Sequence, residues 1–227
     1  MTTSEAAGAN KQTVKVVAIS DTHNGHDSIV VPPCDILIHA GDESFRGRKD
    51  EIEAFAKWFD KQPAKHLVWI PGNHSLGVEA HWPGSKHWLS DLSPRTHVLM
   101  NSDVTLEGLK IWGSPVTPWF HDWAWNVIRG PAIKKYWDMI PADTSIVVTH
   151  GPPHGTLDVV SPGTHREDHV GCVDLKDAIL RIKPKLHIFG HIHEGYGWHA
   201  DPHTIYANAS IMDEHYDPVN KPLEFDL

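Results

Sequence analysis

The sequence predicts an α/β fold in which two mixed β-sheets pack face to face with helices on the outside. Three observations carry this prediction. Short apolar runs of strand length end in Asp, Asn or His. Amphipathic helical segments stand between some of those runs, as in βαβ units. A hairpin signature in the middle of the chain breaks the alternation and requires antiparallel strands as well.

Taken in order, residues 1–12 are small and polar, and are expected to form a flexible tail ahead of a single domain over residues 13–227. Residues 14–20 form the first apolar run, which closes in Asp21-Thr22-His23. Residues 35–40 form the second, followed by Gly41-Asp42. In the segment after it, Ile52, Phe55, Ala56 and Phe59 recur at i, i+3, i+4 and i+7, one face of a helix. The run at 67–70 leads into Gly72-Asn73-His74. Residues 104–106 and 109–112 flank Glu107-Gly108, which reads as a hairpin turn. The run at 145–149 ends on His150. Leu175, Ala178, Ile179 and Ile182 mark a second helix that Pro184 stops. A last apolar run opens into Phe189-Gly190-His191-Ile192-His193, and residues 204–207 suit one more short strand. The polar strand ends are expected to share one edge of the sandwich, the C-terminal edge of the strands.

Composition narrows the class. A chain of 227 residues can bury a layered core, and 40% hydrophobic with 22% charged residues is globular. The formal charge of −9 argues against a groove that tracks a nucleic-acid backbone, which needs clustered Lys and Arg. Cys34 and Cys172 are the only cysteines and form no C-x-x-C pair, which excludes a disulfide framework or a thiolate zinc site. With no run of about 18 apolar residues, no membrane span is expected, and a reduced, cytoplasmic setting is.

The polar strand ends supply the donors of a metal site. Carboxylate, imidazole and carboxamide groups without thiolate suit Mn²⁺, Fe or Zn²⁺. Residues two apart on a strand face the same way, so Asp21 with His23, and His191 with His193, are each expected to present two donors together. Two such pairs joined by a bridging carboxylate can hold two metals about 3.5–4 Å apart. The candidate ligands are Asp21, His23, Asp42, Asn73, His150, His191 and His193.

The order D-x-H, G-D, G-N-H, H, G-H-x-H resembles the calcineurin-like metallophosphoesterase superfamily, over residues 21–193. Gly113-Ser114-Pro115, Pro118-Trp119-Phe120, His150-Gly151-Pro152-Pro153, Val170-Gly171-Cys172 and His193-Glu194-Gly195-Tyr196-Gly197 are similar to its metallophosphoesterase-domain-containing branch of phosphodiesterases. The resemblance implies a metallophosphoesterase-type sandwich with two divalent ions, Mn favoured and Fe or Zn admitted. It implies that Asp21, His23 and His193 hold one ion, that Asn73, His150 and His191 hold the other, and that Asp42 bridges them. It makes His74 the catalytic histidine beside the leaving group, and a metal-bridging hydroxide the nucleophile. Some members of the branch carry Gly in place of His191. Here the histidine is retained, which implies a complete second site. The usual motif continues with Glu or Asp after G-N-H, where this chain has Ser75.

The expected substrate is a small phosphate ester, a cyclic nucleotide or related nucleotide diester foremost, with a phosphomonoester as the rival. A scaffold that binds a protein partner without turnover is the alternative from another class, but its signature is loss of ligands, and none is lost. Net acidity and short length argue against a nuclease of long DNA or RNA. Expected substrate contacts are His154, His169, Arg166 and Trp119, and His165 to a lesser degree. Trp112 and Trp137 are expected to pack in the interior, Cys172 to be a buried small residue, and His39 and His187 to be core histidines rather than ligands.

Overall fold

The computed structural model describes residues 13–81, 84, 89, 91, 93–164 and 168–227. The expected tail lies outside the described residues, as do His165 and Arg166.

Two mixed sheets form the centre. In the first, β1 (Lys15–Ile19), β2 (Cys34–His39), β3 (Ala64–Trp69) and β4 (Thr96–Val98) run parallel, and β15 (Leu223–Asp226) pairs antiparallel with β1, in the order β15-β1-β2-β3-β4. The second has six strands. Its parallel core is β6 (Leu109–Ser114), β9 (Ile146–Thr149), β12 (Leu186–Phe189) and β14 (Ile205–Asn208). Antiparallel strands close it on both sides, β5 (Ser102–Leu106) beside β6 and β13 (Gly197–Ala200) beside β14. The predicted hairpin is the β5–β6 pair, with Glu107 at φ 49° and Gly108 at φ 78°. Positive φ at both central residues matches the right-handed twist of the flanking strands.

Alternation along each strand builds the layers. Val16, Ala18, Ile36, Ile38, Val68 and Ile70 from the first sheet meet Ile111, Ile146, Val148, Leu186, Ile188 and Ala207 from the second in one buried cluster. The other face of the first sheet, with Val17, Ile19, Leu37, Leu67 and Trp69, packs on α1 (Lys49–Phe59) through the predicted Ile52, Phe55 and Phe59. The outer face of the second sheet packs on two helices, α3 (Pro131–Trp137) and α4 (Val173–Ile182). There Trp112 and Trp137 are buried, as expected, and Cys172 is a buried small residue beside them. A shorter helix, α2 (Leu76–Ala80), follows the G-N-H segment.

This arrangement sets the C-terminal ends of the parallel strands along one edge, where backbone bonds stitch the sheets together. Ile211 donates to the carbonyl of Ser20 across the two sheets, while Asp21 donates to that of Gly41 along the edge of the first. His150 bridges the sheets in the same way, its Nδ1 bonded to the carbonyl of Ala40 at 3.0 Å.

Candidate metal centre

All seven candidate ligands lie just beyond strand ends on that edge, and they converge. The pleat does not do this, contrary to the sequence-based reasoning. Asp21 and His23 follow the last residue of β1 with φ of 52° and 38°, Asp42 has φ 55° and His191 φ 69°. His193 opens a 3₁₀ turn, His193–Gly195. Left-handed conformations at non-glycine residues cost energy and persist where the surroundings impose them. Gly41, at φ 107°, allows the turn before Asp42, and a side chain there would collide with the His150 ring.

The first group is Asp21, His23 and His193, whose donor atoms all lie within 4.8 Å of one another. The Asp21 carboxylate accepts the His191 backbone N–H at 2.9 Å and the Ser210 hydroxyl at 2.9 Å. The His193 Nδ1 donates to the Asp213 carbonyl at 2.7 Å, which turns Nε2 toward Asp21 Oδ1, 3.5 Å away. His23 Nε2 lies 3.4 Å from His193 Nε2. A second group is Asp42, His150 and His191, and a third, His23, Asp42 and His74, shares a member with each. His150 Nε2 faces Asn73 Oδ1 at 2.7 Å and Asp42 Oδ2 at 3.2 Å. The same Asp42 Oδ2 lies 3.9 Å from His23 Nε2, so this carboxylate stands between the groups.

Charge in the cluster follows from crowding. Burial opposes ionisation of Asp42, but the neighbouring His150, His74 and His23 outweigh it and hold its carboxyl well below the usual range. Asp21 is likewise lowered, its burial overcome by His193, His150 and His23. Burial disfavours a charge on His150 and His193 too, yet Asp42 raises His150 to about 9, and Asp21 raises His193 to about 9. Burial takes His23 and His191 down to about 4. Ionised carboxylates among imidazoles are a cation site by chemistry. The facing Nε2 atoms of His23 and His193 fit a shared cation, and the buried His23 Nδ1 has no hydrogen-bond partner among the described residues. The donor set therefore fits divalent metals.

His74 stands beside the cluster and is held at three points. Its backbone N–H donates to Asp42 Oδ1 at 2.8 Å, and its Nδ1 donates to the Phe45 carbonyl at 2.9 Å. Its ring stacks on Trp123, centroids 4.3 Å apart. Ser75, in the place of the usual acidic residue, reaches a carboxylate through space. Its hydroxyl donates to Glu43 Oε1 at 2.8 Å and accepts the Gly72 N–H at 3.0 Å. Burial raises the Glu43 carboxyl to about 7. The sequence reasoning missed Glu43, whose only signal is its place directly after Asp42.

Among the expected substrate contacts, Trp119 is well exposed and lies in the same loop region as Trp123. His154 and His169 come together, ring centroids 5.7 Å apart. The buried Asp158 binds His169 Nδ1 at 2.7 Å, while its other oxygen accepts Gly155 and Gly171 N–H groups. The reasoning also missed three side chains at the cluster. Phe45 and Tyr216 lie against His23, and Arg46 has its guanidinium 5.4 Å from the Trp123 ring centroid. His39 is a core histidine as expected, bonded on both ring nitrogens by Thr22 and the Gly41 N–H.

Three Asp/His groups that share members, with Asn73 beside them, thus lie at one strand edge of the two-sheet sandwich. The family model described as calcineurin-like phosphoesterase matches residues 14–195, and the chain belongs to that family. The human and mouse proteins named metallophosphoesterase domain-containing protein 1 are each 39% identical to it over 233 residues, covering 94% of this chain and 71% of theirs. The phosphopantetheinyl hydrolase of Mycobacterium tuberculosis shares the fold, with a TM-score of 0.58 at 16% identity over 92% of this chain and 95% of its own.

Proposed function

We propose that this protein hydrolyses small phosphodiesters, nucleotide diesters foremost, with two divalent ions, Mn²⁺ favoured. The observation that carries the reading is Asp42, whose Oδ2 lies 3.2 Å from His150 and 3.9 Å from His23 and so joins two ligand groups in one site. Asp21, His23 and His193 hold one ion, and Asn73, His150 and His191 the other. When bound, the ions supply Lewis acidity toward a water and the phosphoryl oxygens. His74 does the proton work. The Phe45 carbonyl fixes the Nδ1–H and so the ring's orientation, and His74 as imidazolium would give its Nε2 proton to the departing alkoxide and be left as the neutral Nδ1–H tautomer. No side-chain nucleophile is required: the Ser20 hydroxyl is engaged by the Gly41 carbonyl and that of Ser75 by Glu43.

The preference for diesters is supported by what flanks the cluster. Phe45, Tyr216 and Trp123 are uncharged rings that accommodate a second ester group. A monoester dianion carries more charge and would call on a basic group, for which the Arg46 guanidinium beside Trp123 is the candidate that the parallel assay weighs. The test is metal-stripped protein reloaded with Mn²⁺ and assayed on bis-p-nitrophenyl phosphate and p-nitrophenyl phosphate in parallel. The diester is expected to turn over faster. Preference for the monoester would move the assignment to phosphorylated metabolites, and silence on both with two metals bound would overturn hydrolysis.

A further inference from the structure

We propose that Tyr216 and Phe45 form a subsite for a planar ring of the substrate, a nucleobase foremost, beside the first ligand group. This rests on the reading of the cluster as a phosphoester site and adds what recognises the rest of the molecule. The two rings meet at 44° with centroids 5.8 Å apart. Tyr216 stands edge-on to His23 and His193, at 4.9 Å and 5.3 Å, and Phe45 lies 5.4 Å from His23. Both are against buried ligands, yet Phe45 is 42% exposed and Tyr216 45%. Large aromatic surface left open at the mouth of a polar site is surface kept for a partner.

The placement of Tyr216 is built. Its φ is 65°, a conformation that a bulky side chain adopts only when the surroundings impose it. Here the segment 213–217 imposes it. Asp213 Oδ1 accepts the N–H groups of His215 and Asp217 at 2.9 Å each, and Asp217 returns a bond to the Asp213 N–H. The Asp213 carbonyl accepts the Tyr216 N–H at 3.0 Å and also the His193 Nδ1 at 2.7 Å. One carbonyl oxygen thus fixes both a metal ligand and the aromatic ring, which sets their relative position.

Phe45 links the subsite to the leaving-group side. Its carbonyl holds His74 and its ring faces His23, so a phosphoester on the cluster has its organic group next to both rings. The tilt and the 5.8 Å separation leave no room for a third ring between the two. A base therefore stacks on the open face of Tyr216 with its edge toward Phe45, a contact that every base can make through its π-face.

The test is calorimetric binding of adenosine 5′-monophosphate and ribose 5-phosphate to the Mn²⁺-loaded protein. The base is expected to tighten binding by about tenfold, the equivalent of about 1.4 kcal/mol. Tyr216→Ala should remove most of that ratio, and Tyr216→Phe should retain it. Equal binding of the two ligands by the parent, or a ratio that survives in Tyr216→Ala, overturns the subsite while the phosphoester reading stands. Failure of both ligands to bind the metal-loaded protein overturns both.

Discussion

His74 shows how far a single residue can be read. Its neighbour Asn73 and the G-N-H context place it beside the ligand cluster, and the proposed role for it is proton transfer rather than metal binding. The hydrogen bond it gives to Asp42 comes from its backbone N–H and survives loss of the side chain, which itself only approaches Asp42 Oδ2 to 3.9 Å. His74→Ala is therefore expected to keep its metals, measured by elemental analysis, while kcat falls about 10²–10⁴-fold. The loss should be greatest for esters with poor leaving groups, because protonation matters most there. Loss of metal would instead make His74 a ligand. The seven candidate ligands were legible because Asp, Asn and His at the ends of buried strands have few structural uses. Glu43 and Tyr216 were not. Glu43 meets Ser75 across 32 positions of sequence, and Tyr216 reaches His23 through a turn that no local pattern announces.

Among the elements, those with a period were legible and those without one were not. The helices carrying Ile52, Phe55 and Phe59, and Leu175, Ala178 and Ile179, bury the faces their spacing predicts. The two-residue strand pairs, β7 (Thr117–Pro118) with β8 (Asn126–Val127) and β10 (Val159–Val160) with β11 (Asp168–His169), are too short to show alternation. Tertiary contact decides them instead: Ala124, in the loop between β7 and β8, donates its N–H to the Asn73 carbonyl and docks that loop at the site. The D-x-H and H-x-H pairs were found, but for the wrong reason, since turns beyond the strands and not the pleat bring them together. Those turns need close approach of backbone to carboxylate, and Gly190 provides it. A Cβ at Gly190 would press on Asp21 Oδ2 and on the Ser20 hydroxyl. Gly190→Ala is expected to displace Asp21 and to lower metal occupancy of the first group, read by isothermal titration with Mn²⁺, with the fold retained by circular dichroism. Unchanged titration would show that the segment can yield without moving the ligand.

At the scale of the whole molecule, the sandwich was legible because apolar strand runs and amphipathic helices leave few ways to cover two sheets. The edge strands β13 and β15 were not, since pairing on one side only needs little apolar sequence. Burying polar strand positions ties the stability of the sandwich to pH, and His187 on β12 isolates the effect. Its Nε2 meets the Thr149 hydroxyl at 2.9 Å, its ring neighbours are Phe189 and Tyr206, and its buried Nδ1 has no hydrogen-bond partner among the described residues. Burial alone takes its pKa down to about 3. An unfolded chain binds a proton at this residue below about 6.5, whereas the folded one does not until about 3. The unfolded state thus binds more protons in that window, so the contribution of His187 is complete above about 6.5 and is lost progressively as pH falls toward about 3, at about 1.4 kcal/mol per pH unit. His187→Asn keeps a group able to bond Thr149 but cannot take up the proton. Urea unfolding at pH 6.5 and 4.5 is expected to show the parent losing about 2 kcal/mol more than His187→Asn over those two units, because the unfolded histidine is already half protonated at pH 6.5. Equal losses would mean that the second sheet admits a charged imidazole at this position, and that acid lability of the sandwich arises elsewhere.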